Sequence, residues 1–385
     1  MWETGHPERP SRRAEVAVSD EAENQRGGVD SLPRRLLLSA GAVALLLGLL
    51  EGAASWTHAI ATTHERLAAR TARARHAKHH PTLGWVNVPG AFVRDAYGPG
   101  KHFTANAQGF RAREDFARAV PPGRKRVLFA GDSFTMGFGV GDDDTYPAQI
   151  ERIEPRIQSA NLAMSAYGAD QAWLSLRSAP AQLDKDAVVL AFIAHDFRRM
   201  EIDFYIAPKP RLALRDGALV VENAPVPERN PREDARFALR ELLSALDLGR
   251  ALARAVATVA PARDGAAPRD PEATSFPPLA RAMFTALAKQ SAHDRVPVLL
   301  GFLPTRDEVL RSELTIRDWT QREAARAGLP YFDATPSFAR AEDLGALYLP
   351  DGHLSERGHA HVAAALLPAL RALLALPVPG VAPGE

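Results

Sequence analysis

The chain has 385 residues, 46% of them hydrophobic and 24% charged, with Lys+Arg 47 against Asp+Glu 46 and no cysteine. The missing cysteine removes thiolate nucleophiles, disulfide frameworks and cysteine-based zinc sites. The even charge balance gives no global reason to expect nucleic acid or an acidic polymer as partner, and the length suits one catalytic-sized domain with an anchor and a small accessory region.

Residues 1–33 contain few apolar side chains and read as a disordered cytoplasmic tail. Arg34-Arg35 then precede LLLSAGAVALLLGLL, an uncharged run ending at Glu51. Extended to Trp56, it reaches the roughly 20 residues of a tilted span, with Trp56 at the headgroup level. The long polar leader and the interrupting Glu51 argue against a cleaved signal peptide, so 34–56 is expected to be a single-pass anchor. Arg66, Arg70, Arg73 and Arg75 on the far side blunt the positive-inside count. The two arginines that abut the run place the N terminus inside and the large domain on the extracytoplasmic side.

Residues 57–80 read as an Ala/Arg/His-rich stalk, whose HAKHH tract at 76–80 lacks a carboxylate partner and is assigned to solvated linker, with no metal. From Leu83, LGWVNVPGAFVRDAYGPGKHFTANAQGFRA carries the Pro-Gly, Gly-Pro-Gly and Asn/Gly punctuation of hairpins. A small β-rich element is expected at 81–120, with Asn106 and Gly109-Phe110-Arg111 serving as turn and packing residues.

The main domain is expected over 121–375. Buried strands are predicted at 126–131, 157–164, 187–194, 296–303 and 329–334, separated by helical patterns such as ADQAWLSLRSAPAQL and DEVLRSELTIRDWTQREAARAG. That alternation specifies an α/β fold, a mostly parallel five-stranded sheet covered on both faces, whose ligands sit beyond the carboxyl ends of the strands. About a hundred residues separate the third and fourth strands, so 204–278 is an insertion. Asn230-Pro231 with Glu233 marks a helix start leading to about Ala260, followed by a Pro/Ala/Gly-rich stretch. A lid and an inert surface excursion both remain open for it. Residues 376–385 read as a tail.

The strongest chemical signal is FAGDSFTMGFGV at 129–140, which sets Ser133 at the end of a buried strand, with Gly131 allowing the sharp turn. The following segment opens a helix whose first N–H groups favour a developing oxyanion. A hydroxyl is a weak nucleophile near neutral pH and needs an imidazole beside it, itself oriented by an acceptor. PDGHLSERGHAHVAAALL at 350–367 supplies both, His353 and Asp351 one residue apart, ahead of a final helix with Ser355 as N-cap. His359 and His361, farther into that helix, face solvent or packing. Asp333 at the end of the fifth strand could orient His353 instead, though a turn or cap role suits it better. Asp142-Asp143-Asp144 read as a solvated loop entering a helix, and the chemistry needs no cofactor.

Taken in order, GDSFT, NLAMSAYG, AFIAHDF and PDGHLSERGH resemble the four blocks of the SGNH/GDSL hydrolase superfamily over about residues 124–372. The resemblance implies a flavodoxin-like three-layer sandwich and a Ser/His/Asp acyl-transfer site. Ser133 then matches the nucleophile, and the backbone N–H groups of Ser133 and Gly168 match oxyanion-hole donors. The family's usual Asn-Asp pair is replaced by His195-Asp196, where a neutral imidazole can donate one N–H. The short Asp351-Gly352-His353 spacing resembles the polysaccharide O-acetylation branch, which implies an acetyl cargo. The expected activity is hydrolysis of acyl esters on envelope or extracellular carbohydrate. The alternatives are transfer of the acyl group to a polysaccharide hydroxyl, lipid ester hydrolysis, or a non-catalytic saccharide-binding domain.

Overall fold

A computed structural model describes residues 76–228, 230, 276–311 and 315–377, with residue 239 and scattered positions between 38 and 56. The chain divides into two compact units, Met1–Arg66 with Phe237–Pro261, and Leu67–Arg236 with Ala262–Glu385. In the first, the described positions 38–43, 45, 46, 49, 52, 55, 56 and 239 are helical. The tail at 1–33, most of the expected anchor at 34–56, the stalk as far as residue 75, the run at 231–275 apart from residue 239, and 378–385 lie outside the described residues. Among the described residues, no helix is long and apolar enough to cross a membrane.

The second unit opens with a β-strand where the sequence suggests linker. β1 (Ala77–His80) pairs antiparallel with β2 (Gly84–Asn87). The HAKHH tract is therefore no solvated stalk: His76 is buried and stacks on Phe103, and His79 Nε2 lies 2.9 Å from Val226 O. Two short strands, β3 (Phe92–Val93) and β4 (Phe103–Thr104), form a second antiparallel pair. This β-rich segment is not an appendage, because Leu83, Trp85, Phe103 and Phe110 belong to the same buried cluster as the main sheet's Leu128 and Leu190.

The sheet then builds through β5 (Lys125–Ala130), α1 (Ser133–Met136), α2 (Tyr146–Ile153), β6 (Ile157–Asn161), α3 (Ala169–Ser175), β7 (Ala187–Phe192) and α4 (Ala194–Arg199). The insertion contributes an antiparallel hairpin, β8 (Arg211–Arg215) and β9 (Ala218–Glu222). Both turn residues, Asp216 and Gly217, have positive φ, as a two-residue hairpin requires. The order continues with α5 (Phe276–Asp294), β10 (Val298–Phe302), α6 (Arg306–Arg311), α7 (Thr315–Ala327), β11 (Tyr331–Asp333), α8 (Thr335–Ala339) and α9 (Glu356–Leu373).

The sheet order is β6-β5-β7-β10-β11, with every neighbouring pair parallel. This is the flavodoxin-like order, whose switch point, where ligands bind, lies between the first and third strands, here β5 and β7. Alternation along the strands makes two cores. Leu128, Ala130, Val188, Leu190, Leu300 and Phe302 face one way, onto Phe284 of α5 and Trp319 of α7. Val127, Phe129, Val189 and Leu299 face the other, onto Ile150 of α2 and Val362 and Leu366 of α9. Each large apolar side chain buried this way contributes roughly 1.5–3 kcal/mol, and a one-residue slip would exchange the two faces. The register that aims the loop after β5 is therefore strongly specified.

Candidate active site

β5 is followed by Gly131, whose φ is not in the left-handed region. A Cβ there would stand 2.4 Å from Thr135 Oγ1 and 2.6 Å from Ala191 O, so close approach to β7, not turn geometry, requires glycine. Asp132 caps α1, its Oδ1 accepting from Phe134 N at 2.9 Å. Ser133 is the first helical residue and is 5% exposed. The helix is only four residues long and is closed by Gly137 at φ 88°. Its dipole is correspondingly small, and the local donor, Ser133 N–H, matters more than the helix as a whole.

The partner loop is equally constrained. Leu349 N donates to His353 O and Gly352 N to Leu349 O, with Gly352 at φ 89° closing the turn. Ser355 caps α9 by accepting from Gly358 N at 3.1 Å and donates to Ala346 O at 2.5 Å. A Cβ at Gly358 would meet Leu347 O at 2.1 Å, so this glycine lets the helix press against its own approach loop.

These two constructions bring His353 Nε2 to 3.0 Å from Ser133 Oγ. Asp351 Oδ2 lies 3.1 Å from His353 Nδ1, at ion-pair distance but outside hydrogen-bond geometry, while its Oδ1 accepts from His353 N at 3.1 Å. His353 beside it holds the Asp351 carboxyl below the usual carboxylate range. That placement favours the tautomer with the proton on Nδ1, which leaves Nε2 free to accept from the serine. Asp132 Oδ2, at 3.4 Å, is a weaker alternative acceptor for the hydroxyl. The Phe134 and Phe138 rings flank the imidazole at 5.5 and 4.6 Å between centroids and limit the water that reaches it.

The expected oxyanion donors are placed as follows. Gly168 N–H, at the N-cap of α3, donates to Gln171 Oε1 at 3.3 Å, a long bond that an incoming oxyanion would have to compete with. Gly168 must be glycine, because a Cβ would lie 2.4 Å from Asp170 Oδ1 and 2.8 Å from Arg199 Cβ. His195 stands at the carboxyl end of β7, the strand beside β5, and is exposed. Loss of part of its hydration, with the Arg199 and Arg198 charges, holds its imidazole below its ordinary value and favours the neutral form, which can donate one N–H.

Asp333 takes the turn role: Oδ1 accepts from Thr335 N two residues on, ahead of the N-cap Ala334, and Oδ2 lies 3.7 Å from Arg317. The acidic triplet departs from a solvated loop at its first member. Asp142 is half-buried, pairs with Arg111 at 3.2 Å and accepts from Thr104 N and Oγ1. Arg111 in turn donates to Met136, Gly137 and Val140 carbonyls, bracing the loop behind Ser133. His359 is fully buried, its Nδ1 accepting from Tyr146 N at 3.2 Å. Among the described residues, no group of three or more His, Cys, Asp or Glu could hold a metal ion.

Two features escaped sequence reasoning. Lys209 is fully buried and donates to Asp170 Oδ2, Arg199 O, Ile202 O and Pro210 O, fastening the insertion to the start of α3 and the end of α4. Arg199 lies between Asp132 and Asp196, at 3.6 and 2.7 Å, and also donates to Tyr167 O. The spacing of Asp196 and Arg199 within one helix was the only local signal for that pair.

No family model and no curated protein matches the chain. Among solved structures, the chain is similar to an acetyl xylan esterase from Geobacillus stearothermophilus, at 13% identity and TM-score 0.38, covering 68% of this chain and 99% of that one. It is also similar to a lipase/acylhydrolase from Enterococcus faecalis, at 12% identity and TM-score 0.36, covering 64% and 96%. A third is a member of the lipolytic G-D-S-L family from Veillonella parvula, at 12% identity and TM-score 0.34, covering 63% and 96%.

Proposed function

We propose that the chain is a serine-dependent ester hydrolase of the SGNH/GDSL type, removing acyl groups, acetyl in the first instance, from carbohydrate. The observation that carries this is the 3.0 Å contact between Ser133 Oγ and His353 Nε2 with Asp351 on the far side of the ring. His353 accepts the hydroxyl proton through Nε2 as Ser133 Oγ bonds to the ester carbonyl carbon. Asp351 steadies the imidazolium that forms. The oxyanion is held by Ser133 N–H, by Gly168 N–H after it turns from Gln171, and by His195. His353 then returns its proton to the departing alkoxide. Water, activated by the same imidazole, cleaves the acyl-serine.

Hydrolysis is favoured over transfer because Asp351 is exposed and His353 is 19% exposed, so water reaches the ring from the Asp351 side. We place the domain on the extracytoplasmic side of a membrane, held by one anchor at 34–56. The sequence supports this through Arg34-Arg35 and the uncharged run, and through the exposure of Leu38, Leu45 and Leu49.

The test is turnover of an aryl acetate and release of acetate from acetylated xylo-oligosaccharides. Ser133→Ala is expected to lower kcat by roughly 10³-fold or more. Saccharide binding without turnover in the intact protein would replace the hydrolase with a binding domain. Acetate release only when a sugar acceptor is supplied would replace it with a transferase.

A further inference from the structure

We propose that Arg199 is a positioning residue that locks the three parts of the oxyanion pocket into one geometry, an inference that rests on the esterase reading above. The three candidate donors sit on three separate segments, Ser133 after β5, Gly168 after β6 and His195 after β7. The helices that follow them are all short, four residues in α1, seven in α3 and six in α4. Arg199 reaches the immediate chain neighbour of every one. Its Nη1 is 3.6 Å from Oδ2 of Asp132, beside Ser133, and 2.7 Å from Oδ1 of Asp196, beside His195. The same nitrogen donates at 2.9 Å to the carbonyl of Tyr167, beside Gly168.

The contact with Gly168 is also steric. A Cβ on Gly168 would stand 2.8 Å from Arg199 Cβ and 3.2 Å from its carbonyl carbon, so the two backbones meet without a side chain between them. The arginine is itself held. Its side chain is 13% exposed, its guanidinium lies 4.8 Å over the Tyr205 ring, and its carbonyl accepts from the buried Lys209 at 2.8 Å. The two hydrogens of Nη1 suffice for the Asp196 carboxylate and the Tyr167 carbonyl, and the permanent guanidinium charge attracts Asp132 at 3.6 Å, where a lysine offers a point charge on a flexible stem. Without it, the buried Asp132 and Asp196 would face each other with no cation between them and push the β5 and β7 loops apart.

Oxyanion donors work only within a few tenths of an ångström of their target, and displacement by about 1 Å costs on the order of a hundredfold in rate. Arg199→Met is therefore expected to lower kcat on an aryl acetate by roughly a hundredfold with KM nearly unchanged. Amide exchange over 166–169 and 194–199 should accelerate, and in Arg199→Ala, which leaves the space that methionine fills, added guanidinium ion at millimolar concentration should restore part of kcat. Arg199→Lys, which keeps the charge, should fall between and serves if Arg199→Met does not fold. Normal exchange and kcat in a folded variant would overturn the proposal. So would a kcat that falls only with the folded fraction and is not restored by guanidinium. Ser133→Ala should leave exchange at the intact protein's value. If the intact protein turns over no ester, the hydrolase reading falls by itself, and the exchange comparison alone decides whether Arg199 is the clamp.

Discussion

Replacing Lys209 with Met removes a cation that neutralises Asp170 in a site sealed from water, both side chains being 0% exposed. The ammonium has three hydrogens and four acceptors, Asp170 Oδ2 at 2.6 Å, Arg199 O at 2.8 Å, Pro210 O at 2.9 Å and Ile202 O at 3.1 Å. Burial raises the Asp170 carboxyl above its usual range, with Lys209 pulling the other way. Methionine fills similar space but leaves the carboxylate and three carbonyls without their donor. Removing one partner of such a pair costs about 3–5 kcal/mol. At roughly 2–4 °C per kcal/mol for a domain of this size, Tm should fall by about 6–20 °C. Without the lysine, Asp170 escapes the penalty by taking a proton. A carboxyl raised in the folded state adds stability that is whole below the ordinary carboxylate pKa and is lost as pH rises through the raised value. Lys209→Met should therefore become progressively less stable as pH climbs from the ordinary carboxylate range toward neutrality, and Asp170→Asn in the same chain should flatten that slope. Thermal melts of the three proteins across pH 4–8 measure this. A loss below about 1 kcal/mol, or a pH slope unchanged from the intact protein, would refute the reasoning.

His195→Ala should lower kcat roughly a hundredfold with little change in KM, and His195→Asn should recover part of it; a fall in Tm with normal turnover would make the residue a strand-end cap only. Gly131→Ala should destabilise by about 1–3 kcal/mol and shift the nucleophile, since its Cβ would be 2.6 Å from the Ala191 carbonyl. Tm together with aryl acetate turnover reads both effects. Burial pushes His359 down to about 3 from 6.5, so the unfolded chain takes up the proton first. Stability is whole above pH 6.5 and falls on acidification toward pH 3, by up to about 1.4 kcal/mol per unit; His359→Gln, which retains an acceptor for Tyr146 N, should show a shallower acid limb in urea melts.

The five sheet strands are legible because each is a short apolar run set off by turn residues and helical periods, and alternation then divides them between two cores. The placement of Ser133, Asp351 and His353 is legible because GDSFT follows a buried strand and PDGH precedes a helix with a serine cap. The β8–β9 hairpin is also written locally, in Asp216-Gly217 between RLALR and ALVVE, inside the stretch whose length marks it as an insertion. β1 has no such signal, since Lys and His are poor strand formers. Tertiary contacts accompany it, His79 with Val226 O and the preceding His76 with Phe103. Lys209 with Asp170, Arg111 with Asp142 and Arg199 with Asp132 join residues 39, 31 and 67 positions apart. Charged residues at such separations carry no periodicity, and only the folded chain shows which are buried.

The central claim, that Ser133 is a nucleophile activated by His353 and Asp351, is tested most directly by a serine-directed fluorophosphonate. The full chain should gain one covalent adduct, mapped by mass spectrometry to the Ser133 peptide, with Ser133→Ala unlabelled and His353→Ala labelled at least a hundredfold more slowly, as a nucleophile deprived of its base requires. Labelling at another serine, or equal labelling rates in the intact protein and His353→Ala, would contradict it.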